Sequence, residues 1–246
     1  MAHINPAGSH QIAVWDLPVR LFHWSLVASI TVSFLSSEED SLLSSWHMAA
    51  GWIAAVLIMF RLIWGFIGGR HARFANFVRP GQVMPHVRAL LAGKAEKSVG
   101  HNPLGGMAVL ALLGGTAAVI WTGVQLTGAN GGSDDLHETR AFTLLALIAV
   151  HVIAVIIMSV MTRDNLVRAM VTGKKAASGL PTHGTQRLPV LASLAGVAVI
   201  MMSVMGIMWY DPGAFTARSR EEADFGERHI VAPGHAKVAG RSDEDD

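Results

Sequence analysis

Four histidines, His23, His47, His137 and His151, stand inside or at the edge of long apolar runs. A titratable side chain in such surroundings is expensive and as a rule faces the interior of a helix bundle with a partner. One such histidine taken alone serves most often as a hydrogen-bonding residue between helices; four together suggest ligands. His137 and His151 are the most informative pair. Fourteen residues at about 100° each leave their side chains roughly 40° apart in azimuth, on one helix face. At about 1.5 Å per residue they stand roughly 21 Å apart along the axis, so one helix can supply one ligand to each of two stacked sites.

The elements that must position them are membrane spans. The chain has 246 residues, 51% hydrophobic and 15% charged, which is too apolar for an ordinary soluble domain. Runs near 17–36, 46–67, 104–127, 136–161 and 188–209 are each long enough to cross a hydrocarbon core of about 30 Å. Their continuous apolar character predicts an all-α integral membrane bundle, with none of the alternation that a closed barrel requires. Met1 to Arg20 lacks the short apolar core and small-residue cleavage site of a removable signal peptide, so the first run is expected to persist as a span. The absence of cysteine excludes disulfides, iron–sulfur clusters, thiolate nucleophiles and covalent haem attachment.

The Lys and Arg bias of the connections sets the orientation. The loop after the second span carries Arg70, Arg73, Arg79, Arg88, Lys94 and Lys97, and the loop after the fourth carries Arg163, Arg168, Lys174, Lys175 and Arg187. Both are assigned to the cytoplasm. Glu38, Glu39 and Asp40, then Asp134 and Asp135, mark the periplasmic connections. The amino terminus is thereby cytoplasmic and the carboxyl terminus periplasmic, in a bacterial inner membrane. Depth then pairs His23 with His151 at the cytoplasmic level and His47 with His137 at the periplasmic level. Two imidazoles facing each other across a bundle suit six-coordinate iron in a porphyrin, and the expected cofactors are two non-covalent, bis-histidine haems.

A zinc or copper centre would need three or four ligands at one level, and this sequence offers two. Glu138 reads as a charge at a helix N-terminus. Gly51, four residues after His47, either eases helix packing or makes room for a porphyrin face. Arg20, three residues before His23, and Arg61, near the inner end of the second span, either snorkel to headgroups or pair with a haem propionate. Trp15, Trp24, Trp46, Trp64 and Trp209 read as interfacial anchors, and Met201, Met202, Met205 and Met208 as packing residues.

The ordered motifs Trp-Asp-Leu-Pro-Val-Arg-Leu-Phe-His-Trp at 15–24, Trp-His-Met-Ala-Ala-Gly at 46–51, Arg-Leu-Ile-Trp-Gly-Phe at 61–66, Gly-His-Asn-Pro-Leu-Gly-Gly at 100–106 and Leu-His-Glu at 136–138 extend through His151 to Asn-Leu-Val-Arg-Ala-Met-Val-Thr-Gly-Lys-Lys at 165–175. From Val14 to about Lys175 the chain resembles the bacterial cytochrome b561 family, including the cytochrome b subunits of nickel–iron hydrogenases. The resemblance implies a four-helix core with two b-type haems and ligands at His23, His47, His137 and His151. His101 belongs to one motif but reads as a capping or headgroup-facing residue. The fifth span and the acidic tail depart from a minimal four-helix member.

The expected organisation is a di-haem transmembrane domain at 1–175, a cytoplasmic linker with the fifth helix at 176–209, and a periplasmic tail at 210–246. The tail holds nine acids against five basic residues and reads as largely disordered. The leading functional expectation is respiratory electron transfer between the quinone pool and a redox protein, such as a cytochrome c or a hydrogenase complex. One alternative is a stand-alone superoxide:ubiquinone oxidoreductase, which the acidic outer loops disfavour and Arg140 partly offsets. The other is a haem-free transporter or anchor. Membrane lipid is a partner on every reading, a second copy of the chain is admissible, and nucleic acid is not expected.

Overall fold

The computed structural model describes residues 11–38, 40–94, 102–127, 131–176 and 190–218. Five long helices fall on the five apolar runs: α1 (Leu17–Leu35), α2 (His47–Ile67), α5 (Pro103–Thr127), α6 (Asp134–Thr162) and α8 (Val190–Tyr210). Each is long and apolar enough to cross a membrane. Short helices α3 (Phe74–Phe77), α4 (Val83–Leu91) and α7 (Leu166–Thr172) and the strands β1 (Gln11–Ala13) and β2 (Lys174–Ala176) all lie at one end of the bundle, here termed the ribbon end.

Local sequence sets the helix boundaries. Asp16 caps α1 by accepting from the Val19 amide at 2.9 Å, with Pro18 in the first turn, where its missing N–H costs nothing. Ser133 caps α6 in the same way, and Asp134 and Asp135 complement the helix dipole there. Asn165 caps α7, which ends at Gly173 with φ 78°, a left-handed conformation that favours glycine.

α2 is the hub. Half of its span is buried, against 17% or less in each of the other four, whose large apolar side chains face outward as lipid-exposed helices require. α1, α5 and α8 pack on it. Ser29 of α1 donates to the Ala50 carbonyl at 2.6 Å in a buried contact that lets α1 and α2 approach closely. α8 meets α2 at Gly196, where the rings of Trp64 and Phe60 fill the space a side chain would occupy. α6 packs on α5 and on neither α1 nor α2 to a comparable degree.

At the ribbon end the segments before α1 and after α7 are joined directly. β1 and β2 pair antiparallel with Ile12 opposite Lys175, and the Val14 and Trp15 amides both donate to the Gly173 carbonyl. The clasp continues through Arg20, whose Nη2 donates to the Val171 carbonyl. At the opposite, far end, Asp211 to Arg218 fold back. Asp211 accepts from Trp52 Nε1 at 3.0 Å and pairs with Arg218, whose amide donates to the Ser45 carbonyl. The first residues of the tail are thus ordered by charge and aromatic contacts that composition does not reveal. The remainder, read as disordered, lies outside the described residues, as do His101 and 177–189 of the linker.

Candidate haem site

Two helices that begin at the same end carry the histidines of the far level. His47 opens α2 and His137 sits in the first turn of α6. Their rings meet with centroids 6.3 Å apart and planes at 76°. At the other level His23 of α1 and His151 of α6 lie within electrostatic reach of each other. All four imidazoles are half-buried. The structure therefore brings together the two pairs that spacing and topology put at matching depths.

Each far-level ring is oriented through Nδ1. His47 Nδ1 lies 2.9 Å from the Ser33 carbonyl, which can only accept, so this nitrogen carries the proton. His137 Nδ1 lies 3.1 Å from Thr122 Oγ1. That hydroxyl donates to the Ala118 and Val119 carbonyls of its own helix, so it accepts from the ring. Nε2 is accordingly the ligating nitrogen on both rings in any metal complex. Neither hydrogen bond carries a strong sequence signal: Ser33 acts through its backbone, and Thr122 is one hydroxyl in an apolar helix.

Three observations test whether a haem fits. Two imidazoles on opposite sides of one metal, at about 2 Å per bond, have centroids about 6 Å apart, the separation His47 and His137 show. The helices α1 and α2, which carry His23 and His47, pack on each other and not comparably on α6, so the histidines face α6 across a looser seam. Gly51, one turn beyond His47, has nothing within 4 Å of where a Cβ would stand. The residues fit the group. Among the described residues no three His, Cys, Asp or Glu side chains converge, so the donor set is one of pairs.

The two candidate propionate partners have different surroundings. Arg20 is engaged with Val171, and its side chain packs where Gly173 lacks one. Arg61 is 3% exposed, lies over the Phe74 ring at 4.8 Å, and has no hydrogen-bond partner at Nη1 among the described residues. Arg140, one turn after His137, donates at 3.5 Å to the Ala118 carbonyl of α5.

The fold and this donor set define a membrane cytochrome, and comparison with known proteins agrees. The profile of the prokaryotic cytochrome b561 family matches residues 14–173, and the chain belongs to that family. Haem b is the cofactor this membership implies. The chain is 24% identical over 218 residues to a probable Ni/Fe-hydrogenase B-type cytochrome subunit of Bradyrhizobium diazoefficiens, covering 68% of this chain and 87% of that protein. It is 26% identical to the corresponding protein of Cupriavidus necator (65% and 85% covered) and 22% identical to a probable Ni/Fe-hydrogenase 1 B-type cytochrome subunit of Escherichia coli K12 (66% and 90%). No solved structure gives a significant match.

Proposed function

We propose that this protein is a di-haem electron-transfer subunit of the bacterial inner membrane, linking the quinone pool to a redox protein, with a hydrogenase complex as the favoured partner. The observation that carries the reading is the His47–His137 contact at 6.3 Å, together with the depth-matched approach of His23 to His151. His47 and His137 hold one haem b, and His23 and His151 hold the second. Haem supplies one-electron redox chemistry when bound, and two histidines leave iron no open position for substrate, which favours electron transfer over chemistry at the metal. The chain's own part is orientation: the Ser33 carbonyl and Thr122 hydroxyl fix the tautomers of His47 and His137. The basic ribbon end faces the cytoplasm under the positive-inside rule, so the His47–His137 level and the Asp211 cap face the periplasm.

The hydrogenase assignment rests on the names of relatives such as those of Bradyrhizobium diazoefficiens and Cupriavidus necator. The protein in lipid nanodiscs, given a reduced short-chain quinol and followed by absorbance, tests the quinone link. Reduction of haem by the quinol at a saturable rate is the expected result. No reduction by quinol, with full reduction by dithionite, overturns it.

A further inference from the structure

Arg61 is a buried cation without a full set of partners. Its residue is 3% exposed, Nη1 has no acceptor among the described residues, and an unsatisfied guanidinium of this kind is costly. Asp16 is the carboxylate whose charge it feels. The two oxygens of that carboxylate are occupied, one by the Val19 amide at 2.9 Å and the other by Trp64 Nε1 at 3.3 Å. The guanidinium is nonetheless held in place: it lies over the face of Phe74, and the Phe74 ring in turn rests on Gly65, where any Cβ would collide with it. Gly65 of α2 and Phe74 of α3 thus form a seat for the Arg61 guanidinium that leaves Nη1 without an acceptor among the described residues.

Helix geometry sets the level of that donor. Arg61 follows His47 by the same fourteen residues that separate His151 from His137, so roughly 40° in azimuth and about 21 Å of rise relate each pair. α2 and α6 run in the same direction, and their first members are in ring contact. Arg61 therefore stands on the His47-bearing face of α2 at the depth where α6 presents His151. We infer that Arg61 anchors the haem held between His23 and His151, donating from Nη1 to a propionate carboxylate. Gly65 and Phe74 are positioning residues for it. Arg20 donates from Nη2 to the Val171 carbonyl, and its buried Nε has no acceptor among the described residues, so it stays a second candidate at the same end.

This inference rests on the di-haem reading, and the test separates the two. The full-length protein in detergent is titrated potentiometrically as wild type and as Arg61→Gln, Arg61→Lys and His151→Ala, the last identifying the ribbon-end wave. In Arg61→Gln the ribbon-end midpoint falls, because an uncompensated carboxylate favours ferric iron, while the far-end midpoint stays. Haem transfer from the ribbon end to excess apomyoglobin accelerates at least about tenfold, the equivalent of one lost charge-assisted hydrogen bond. Arg61→Lys restores most of the midpoint. Unchanged midpoint and transfer rate in Arg61→Gln overturn the anchor while leaving the di-haem reading standing; a wild type without a ribbon-end wave overturns both. Should Arg61→Gln not accumulate, wild-type apoprotein is reconstituted with haem and with its dimethyl ester. Weaker retention of the ester at the ribbon end supports the anchor, and equal retention overturns it.

Discussion

The Nδ1 of His47 sits 2.9 Å from the carbonyl oxygen of Ser33, a backbone acceptor on the neighbouring helix. Because a carbonyl cannot donate, this contact fixes the imidazole as the Nδ1–H tautomer and leaves the lone pair of Nε2 free for the iron of the proposed haem. The far-level histidine of α2 is thereby oriented by α1, a helix whose own histidine, His23, lies at the other level.

His137 is held by a side chain instead, so its orientation is open to mutation. Thr122→Val keeps the shape and removes the acceptor. It is expected to weaken haem retention at the His47–His137 level roughly tenfold, with the other haem unaffected. Haem transfer to apomyoglobin, resolved by the two redox waves, measures this; equal loss at both levels contradicts the assignment.

The ribbon clasp ties the start of α1 to the segment after α6, and so joins the helices that carry His23 and His151. Gly173→Ala places a Cβ on a residue at φ 78° and 2.8 Å from the Trp15 carbonyl. The left-handed backbone alone costs about 1–2 kcal/mol. Lower thermal stability and preferential loss of the ribbon-end haem are expected in a detergent melt followed at the Soret band.

Lys175, within β2 and outside the spans, has its pKa lowered by burial, with Asp164 acting in the opposite direction. A lysine depressed in the folded state binds fewer protons there than when unfolded. Its penalty is therefore present at neutral pH and is relieved as pH rises from the folded pKa towards the ordinary lysine value of 10.5. Melting temperature across that alkaline window should carry a rising component that Lys175→Met abolishes.

α8 carries none of the four histidines and packs through Gly196. Gly196→Val overfills the contact with Trp64 and Phe60, at a cost of about 1–3 kcal/mol. Stability should fall while haem content per chain holds. Loss of haem in proportion to stability would show that α8 shapes the sites.

What was legible in the sequence is what lipid makes conspicuous. Polar residues in apolar helices stand out, and a fixed helical rise converts their spacing into depth, so the five helices and the level of each histidine along them could be read directly. The ribbon could not, because Gln11–Ala13 and Lys174–Ala176 are too short to show a period and pair across most of the chain. The α4 helix was within reach: Val83, Met84, Val87, Leu90 and Leu91 recur at helical spacing among basic residues. Ser33 left no trace, since any residue there offers a carbonyl. Arg20 and Arg61 looked equivalent as sequence, and only the contacts of Phe74 and Val171 separate them.

The central claim is two haems held by two histidine pairs. A dithionite-reduced minus oxidised spectrum with haem quantification, on wild type and on His23→Ala, His47→Ala, His137→Ala and His151→Ala, tests it most directly. The account predicts two b haems per chain in wild type, one in each variant, and the same haem lost in His47→Ala and His137→Ala. A wild type with one haem or none, or His47 and His137 variants that lose different haems, would contradict it.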